Sequence, residues 1–174
     1  ETANTYVSIE IKDREGNVVG HAQRIIRPPD QRTVEHEAMV FGEAIQGQGF
    51  ASRYNAHVES AYIDHGIEKI HLNANLDVGG YAWARAGYDF RGSDARAAVA
   101  SHAREMGRKF TPDVQAQIRR VADNPNASAI DFAMIGHTPG ALSWPGKEIM
   151  LEASWDGVKN LGPSGGFTQP ELGG

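Results

Sequence analysis

Apolar and polar residues alternate along residues 5–12, TYVSIEIK, with Val7, Ile9 and Ile11 apolar between Ser8, Glu10 and Lys12. That period of two predicts a half-buried strand. DREGN follows, with Gly16 and Asn17 as turn residues, and VVGHAQRII (18–26) reads as a second strand. The two make an antiparallel hairpin. RPPDQR is a loop, because Pro28 and Pro29 lack backbone donors. TVEHEAMVF (33–41) alternates again as a third strand.

The period then changes. In residues 51–65, Ala51, Tyr54, Val58, Ala61 and Tyr62 recur at spacings of three and four, which predicts a helix stopped by Gly66. IEKIHLNA (67–74) is a strand, with Ile67, Ile70 and Leu72 apolar. VGGYAWARAG is a short helix that begins at Asp77 and ends at Gly87, and YDF (88–90) is a short strand. Residues 93–110 form a helix with Ser93 or Asp94 as N-cap. Residues 111–123 form another, with Thr111 as N-cap and Pro112 in the first turn. NPNAS is a loop, AIDFAMIG is strand or helix, and HTPGALSWPG is a loop. KEIMLEASWDGVKNL (147–161) reads as a last helix.

The expected class is mixed α/β of the α+β kind. A mostly antiparallel central sheet is flanked by helices and followed by a C-terminal helical extension. The expected division is a core over 1–92, a mainly helical annex over 93–162 packed on the core, and a flexible tail over 163–174.

Composition changes this picture little. The chain is 40% apolar and 22% charged, as a globular domain is, and no apolar run has the length of a membrane span. We therefore expect no membrane partner and a cytoplasmic site of action. The chain opens on Glu1, and we expect a module of a larger polypeptide, of the toxin, effector or phage-associated kind, that delivers it there. The absence of cysteine excludes disulfides, thiol nucleophiles and cysteine-bound zinc. A net charge of −5 gives no global attraction to nucleic acid. Arg104, Arg108, Lys109, Arg119 and Arg120 could still form a local basic patch on the annex. No metal site is expected. HEAM lacks the second histidine of a zinc-protease motif, since Val40 stands there, and His57 and His65 lie two helical turns apart.

The chemistry gathers around AIQGQGFA, at the mouth of the first helix. Unpaired N–H groups and the helix dipole favour an anion there, and glycines let it reach the backbone. No Gly-Lys-Ser/Thr follows, so this is not a Walker loop, and the third glycine of the dinucleotide fingerprint is missing.

QGQGFA (46–51) resembles the Q/R-x-x-G-x-G/A signature of the GNAT superfamily of acyl-CoA-dependent N-acetyltransferases. WARAGY, that is Trp83, Gly87 and Tyr88, is similar to the family's aromatic-x-x-x-Gly-aromatic pattern, and the hairpin suits its second and third strands. The resemblance covers about residues 5–90. It implies transfer of an acetyl group from acetyl-CoA to an amine. It also implies that Gln46, Gly47, Gln48, Gly49, Phe50 and Ala51 hold the CoA pyrophosphate. A backbone N–H near Met39 to Phe41 would polarise the thioester carbonyl, and Asn75 and Trp83 would lie along the cofactor arm.

The family's usual tyrosine, whose hydroxyl protonates the departing thiolate, is replaced by Trp83, and an indole cannot act as that acid. Tyr81, two residues earlier, is the nearby phenol, although on a helix it points elsewhere. Glu35 and Glu37 are candidate general bases; period two puts them on one face and His36 on the other. Glu43 is a weaker candidate. The acceptor is an amine on a protein, a small molecule or an aminoacyl-RNA. Two alternatives stand beside this. One is a GNAT fold kept for binding with its catalysis weakened. The other is ADP-ribosyl transfer, motivated only by the E-x-E spacing of EHE and lacking the Ser-Thr-Ser strand of that family.

Overall fold

A computed structural model of the chain describes residues 3–42, 49–74 and 79–162. The elements are β1 (Thr5–Lys12), β2 (Val18–Ile26), β3 (Thr33–Phe41), α1 (Phe50–Asp64), β4 (Lys69–Ala74) and α2 (Gly80–Arg85). They continue with β5 (Asp89–Phe90), α3 (Ser93–Gly107), α4 (Pro112–Asp123), α5 (Ala129–Ala133), α6 (Pro145–Leu151) and β6 (Trp155–Asn160). The six strands are ordered β1-β2-β3-β4-β6-β5, and the pairs β1/β2, β2/β3 and β5/β6 are antiparallel. This is the mixed, mostly antiparallel sheet flanked by helices that the family resemblance implies, built from the strands that the alternation predicts. The chain divides into two compact units, one of residues 1–70 with 160–174, the other of residues 71–159.

In the first unit β1, β2 and β3 form a meander with the expected bounds. Asp13 closes the hairpin turn. Its Oδ1 accepts from the N–H groups of Glu15 and Asn17, both at 2.9 Å, and its Oδ2 from the Asn17 amide at 2.9 Å. Those donors, led by Asn17, hold the Asp13 carboxyl below its usual range. The unit's buried apolar residues are few: Ile11, Ala22, Val34, Ile70 and Leu161. Helix α1 has no fully buried residue at all. Part of the register is held by ion pairs instead, Arg27 with Glu35 and Arg32 with Glu68.

The second unit is packed more densely. Phe132, Ile118, Ile149, Met150 and Val99 are all fully buried there. Small residues bring the helices together. A Cβ on Gly107 of α3 would come within 2.9 Å of the Ile118 side chain of α4. The Arg96 guanidinium donates to the carbonyls of Val121, Ala122 and Asn124, which satisfies the end of α4. Residues 129–136, open between strand and helix in the sequence, hold the short helix α5. Helix α3 is entered through Gly92 at φ 92°, not through Ser93 or Asp94.

One sequence expectation fails here. Residues 147–161 are not a single helix. Helix α6 ends at Leu151, and Trp155–Asn160 is strand β6, which pairs with β5 through Asp89↔Val158 and Phe90↔Gly157. Helices α3 to α6 therefore lie between two neighbouring strands of the sheet. The strand is hard to read because its buried face is Trp155, Gly157 and Lys159, of which only the first is apolar. The spacing of Leu151, Trp155 and Val158 imitates a helix. Gly157 is small for a reason, since a Cβ there would sit 3.0 Å from the Trp155 ring and 3.1 Å from Leu72.

Candidate active site

The first part of the site is made by β3. Its register against β2 shifts between Gln23 and Arg24: Gln23 faces Ala38, and Arg24 faces His36, so Glu37 is an extra residue. The bulge breaks the simple alternation. Val34 and His36 are buried before it, Met39 and Phe41 are half-buried after it, and Glu37, Ala38 and Val40 are exposed. His36 and Phe41 are five residues apart, an odd number, yet both meet α1. The His36 Nε2 lies 3.2 Å from the Tyr62 hydroxyl. The Phe41 ring packs edge-on against Phe50 at 5.5 Å and Tyr54 at 6.1 Å. Glu37 is the extra residue of the bulge, so alternation alone does not fix its side; the charges of both Glu35 and Glu37 act on Arg27.

The ladder also fixes where backbone groups point. The Gly42 N–H donates to Val19 O at 2.8 Å, so Val19 and Gly42 are a hydrogen-bonded pair. Bonded and non-bonded pairs alternate in an antiparallel ladder. Counting back, Val40 and Ala38 bond to β2, whereas the N–H groups of Met39 and Phe41 point away from it.

The second part is the start of α1. Gly49 is its N-cap in the left-handed region, φ 68° and ψ 10°, and it supplies no side-chain cap. The first turn holds no acidic residue, and the Arg53 guanidinium lies 3.5 Å from where a Gly49 Cβ would be. A helix start without a side-chain cap, beside a guanidinium, suits an anion. The stacked Phe50–Tyr54 pair and Phe41 anchor it to the end of β3.

Glu35 is already engaged. Its Oε1 accepts from Arg27 Nη2 at 2.6 Å and Nε at 3.1 Å, and the carboxylate pushes the Arg27 guanidinium further above its ordinary value. Glu37 is exposed at the bulge; among the described residues it has no direct ion pair of its own, but its charge adds to that of Glu35 on the Arg27 guanidinium. Burial pushes the Tyr62 phenol up, and the nearby Arg24 charge pulls it partly back.

In the second unit, α2 follows Gly79 at φ 75°. Tyr81 packs edge-on against Trp144 at 5.7 Å, with Lys147 Nζ 5.7 Å above its ring. Trp83 packs edge-on against Tyr88 at 5.4 Å, and its indole N–H is buried without an acceptor. The ammonium of Lys159, a buried residue, lies 5.7 Å from the Tyr88 ring centre. Gln46, Gly47, Gln48, Glu43, Asn75, Asp77 and the tail 163–174 lie outside the described residues.

The basic patch is partly neutralised, Arg104 by Asp123 at 2.7 Å and Lys109 by Glu148 at 3.6 Å. No group of three potential metal ligands occurs among the described residues. No helix there is long and apolar enough to cross a membrane. The sequence reading missed Arg24, Tyr62 and Lys159. For Arg24 a signal existed: it shares the alternating face of β2 with Gly20 and Ala22, a face that is buried.

A family model described as acetyltransferase (GNAT) family matches residues 2–88, half of the chain. The chain belongs to the GNAT family. No curated protein matches it. Among solved structures, an acetyltransferase of Bacillus cereus matches with 18% identity and a TM-score of 0.44, over 51% of this chain and 61% of that one. GCN5 of Tetrahymena matches with 11% identity and a TM-score of 0.49, over 91% of this chain and 69% of that one. A spermidine/spermine N-acetyltransferase of Vibrio cholerae matches with 19% identity and a TM-score of 0.43, over 50% and 52%. The chain spans 61% of the length of the Bacillus cereus protein. Helices α3 to α6 and strand β6 fall after the segment that the GNAT model matches.

Proposed function

We propose that the chain transfers an acyl group from acyl-CoA, with acetyl-CoA as the donor, to an amine. The observation that carries this is the start of α1 in a GNAT chain: a left-handed glycine, no side-chain cap, no acid in the first turn, and Arg53 beside it. These residues suit the pyrophosphate of a CoA ester. Gly49, Phe50 and Ala51, with Gln46, Gly47 and Gln48 before them, would hold it through backbone N–H groups.

Acetyl-CoA supplies the activated thioester carbonyl. The chain's part is to orient it and to stabilise charge on its oxygen. The N–H groups of Met39 and Phe41, directed away from β2, suit that oxygen. The amine nitrogen forms its bond to the carbonyl carbon as the carbon–sulfur bond breaks, and the amine gives up a proton. Glu37 is the better placed base, acting through water, because Glu35 is held by Arg27. Much of the rate would come from proximity.

A second reading, binding without efficient transfer, is favoured by one observation. In the WARAGY motif Trp83 takes the place of the tyrosine that, by the family resemblance, would supply the thiolate's proton, and its indole N–H is buried. An indole can donate a hydrogen bond to a thiolate but not its proton. The Tyr81 ring is engaged by Trp144 and Lys147. ADP-ribosyl transfer has no such support, since Glu35 is paired with Arg27 and the chain belongs to the GNAT family.

The test is release of free CoA thiol from acetyl-CoA in the presence of a polyamine, a lysine peptide and an aminoacyl-RNA in turn. Amine-dependent release with a mass gain of one acetyl on the acceptor supports transfer. Tight acetyl-CoA binding without release from any of them supports the second reading. The acceptor's class, the cytoplasmic setting and delivery by a larger polypeptide of the toxin or phage kind belong to the same proposal.

A further inference from the structure

Arg24 is a buried charge that the proposed chemistry leaves unused. It is 3% exposed. Its Nη1 donates to the carbonyl oxygens of Gln23 at 2.8 Å and Ala38 at 2.9 Å. Its Nη2 lies 3.8 Å from the Met39 sulfur, and its Nε is buried with no acceptor. Among the described residues no carboxylate pairs with it. The guanidinium also hydrogen-bonds the Tyr62 hydroxyl. A buried guanidinium held by neutral acceptors alone is costly, and an apolar side chain of similar size in such a place is often neutral or stabilising. Folding alone does not account for it.

Its position does. Ala38 O and Met39 N–H are the two ends of one trans peptide and point in opposite directions. The Ala38 carbonyl faces β2, where Arg24 grips it, and the Met39 N–H points the other way. A cation bonded to the carbonyl end draws electron density through the amide and makes the N–H a stronger donor. The same bond fixes the peptide plane next to the bulge, where the ladder itself is interrupted.

We propose that Arg24 is a positioning residue for acyl transfer: it orients and polarises the Ala38–Met39 peptide so that the Met39 N–H meets the thioester oxygen as charge develops there. This rests on the acyl-transfer reading above. It differs from that reading in naming a side chain that never touches substrate.

The test compares wild type with Arg24→Met and Arg24→Lys. Binding of acetyl-CoA is measured by calorimetry, kcat and KM by thiol release, and the carbonyl stretch of bound [1-13C]acetyl-CoA by infrared difference. Unfolding is followed in urea. Arg24→Met should bind acetyl-CoA as wild type does and unfold at the same or a higher urea concentration. Its kcat should fall about tenfold or more at unchanged KM, as for loss of oxyanion stabilisation. The low-frequency shift of the bound carbonyl should shrink with it. Arg24→Lys, which keeps the charge but not the fork, should fall between.

Arg24→Met with wild-type kcat and wild-type carbonyl frequency would overturn the proposal. So would a rate that falls only as the folded fraction falls. If Arg24→Met does not fold, Arg24→Lys is read by the same measurements, and a wild-type frequency in it overturns the proposal too. A wild type that does not bind acetyl-CoA instead overturns the acyl-transfer reading beneath.

Discussion

The two units of this chain are held together by different means. The helical unit has an apolar core of Phe132, Ile118, Ile149, Met150 and Val99, with glycines where helices meet. Among the described residues, the β1–β3 meander and α1 have a handful of buried apolar residues, a buried arginine and the ion pairs Glu10–Lys12, Arg27–Glu35 and Arg32–Glu68. The family's signature lies mostly in the second of these regions. Cores are built for density. A site must keep N–H groups, a charge and a bulge ready for a ligand, and each of these detracts from stability. On the proposed reading, the region that carries the chemistry is the one that gives up packing.

The largest test of this contrast is Phe132→Ala. Phe132 is fully buried and packs edge-on against Phe90 at 5.7 Å. Its truncation should cost about 3–5 kcal/mol, read as a lower midpoint in urea. A loss near zero would mean that the helical unit is not the well-packed one.

Next comes the pair Glu37→Gln and Glu35→Gln. Glu37→Gln should lower kcat about a hundredfold with acetyl-CoA binding and unfolding unchanged, as for loss of a general base. Glu35→Gln should show a small loss of stability, from the Arg27 pair, and a nearly unchanged rate. The reverse pattern would move the base to Glu35 and make the ion pair part of the chemistry.

How much of this was legible without coordinates varies with the residues. TYVSIEIK, VVGHAQRII and TVEHEAMVF alternate cleanly, and β1, β2 and β3 have those bounds. Thr111 and Pro112 mark the start of α4 as expected. Strand β6 was hidden, because Gly157 and Lys159 occupy its buried face. The bulge left no mark, since Glu37 and Ala38 look like any two strand residues, and its consequence for Met39, Phe41 and His36 follows only from the register. Of the proposed site, the glycine loop and Trp83 could be named from motif. Arg24 could have been found from Gly20, Ala22 and Arg24 sharing one face, but a charge on such a face is usually taken as exposed. The pairing of Glu35 with Arg27 depends on a cross-strand diagonal that spacing alone does not reveal.

The central claim is that the start of α1 holds the pyrophosphate of acetyl-CoA. The most direct test is calorimetric titration of wild type, Gly49→Glu and Gly66→Glu with acetyl-CoA. Gly49 and Gly66 stand at opposite ends of α1 at φ 68° and 75°, so both variants carry a similar backbone strain of about 1–2 kcal/mol. Only Gly49→Glu sets a carboxylate at the helix start. The account predicts that wild type and Gly66→Glu bind and Gly49→Glu does not. Binding by Gly49→Glu at wild-type affinity, or loss in both variants alike, would contradict it.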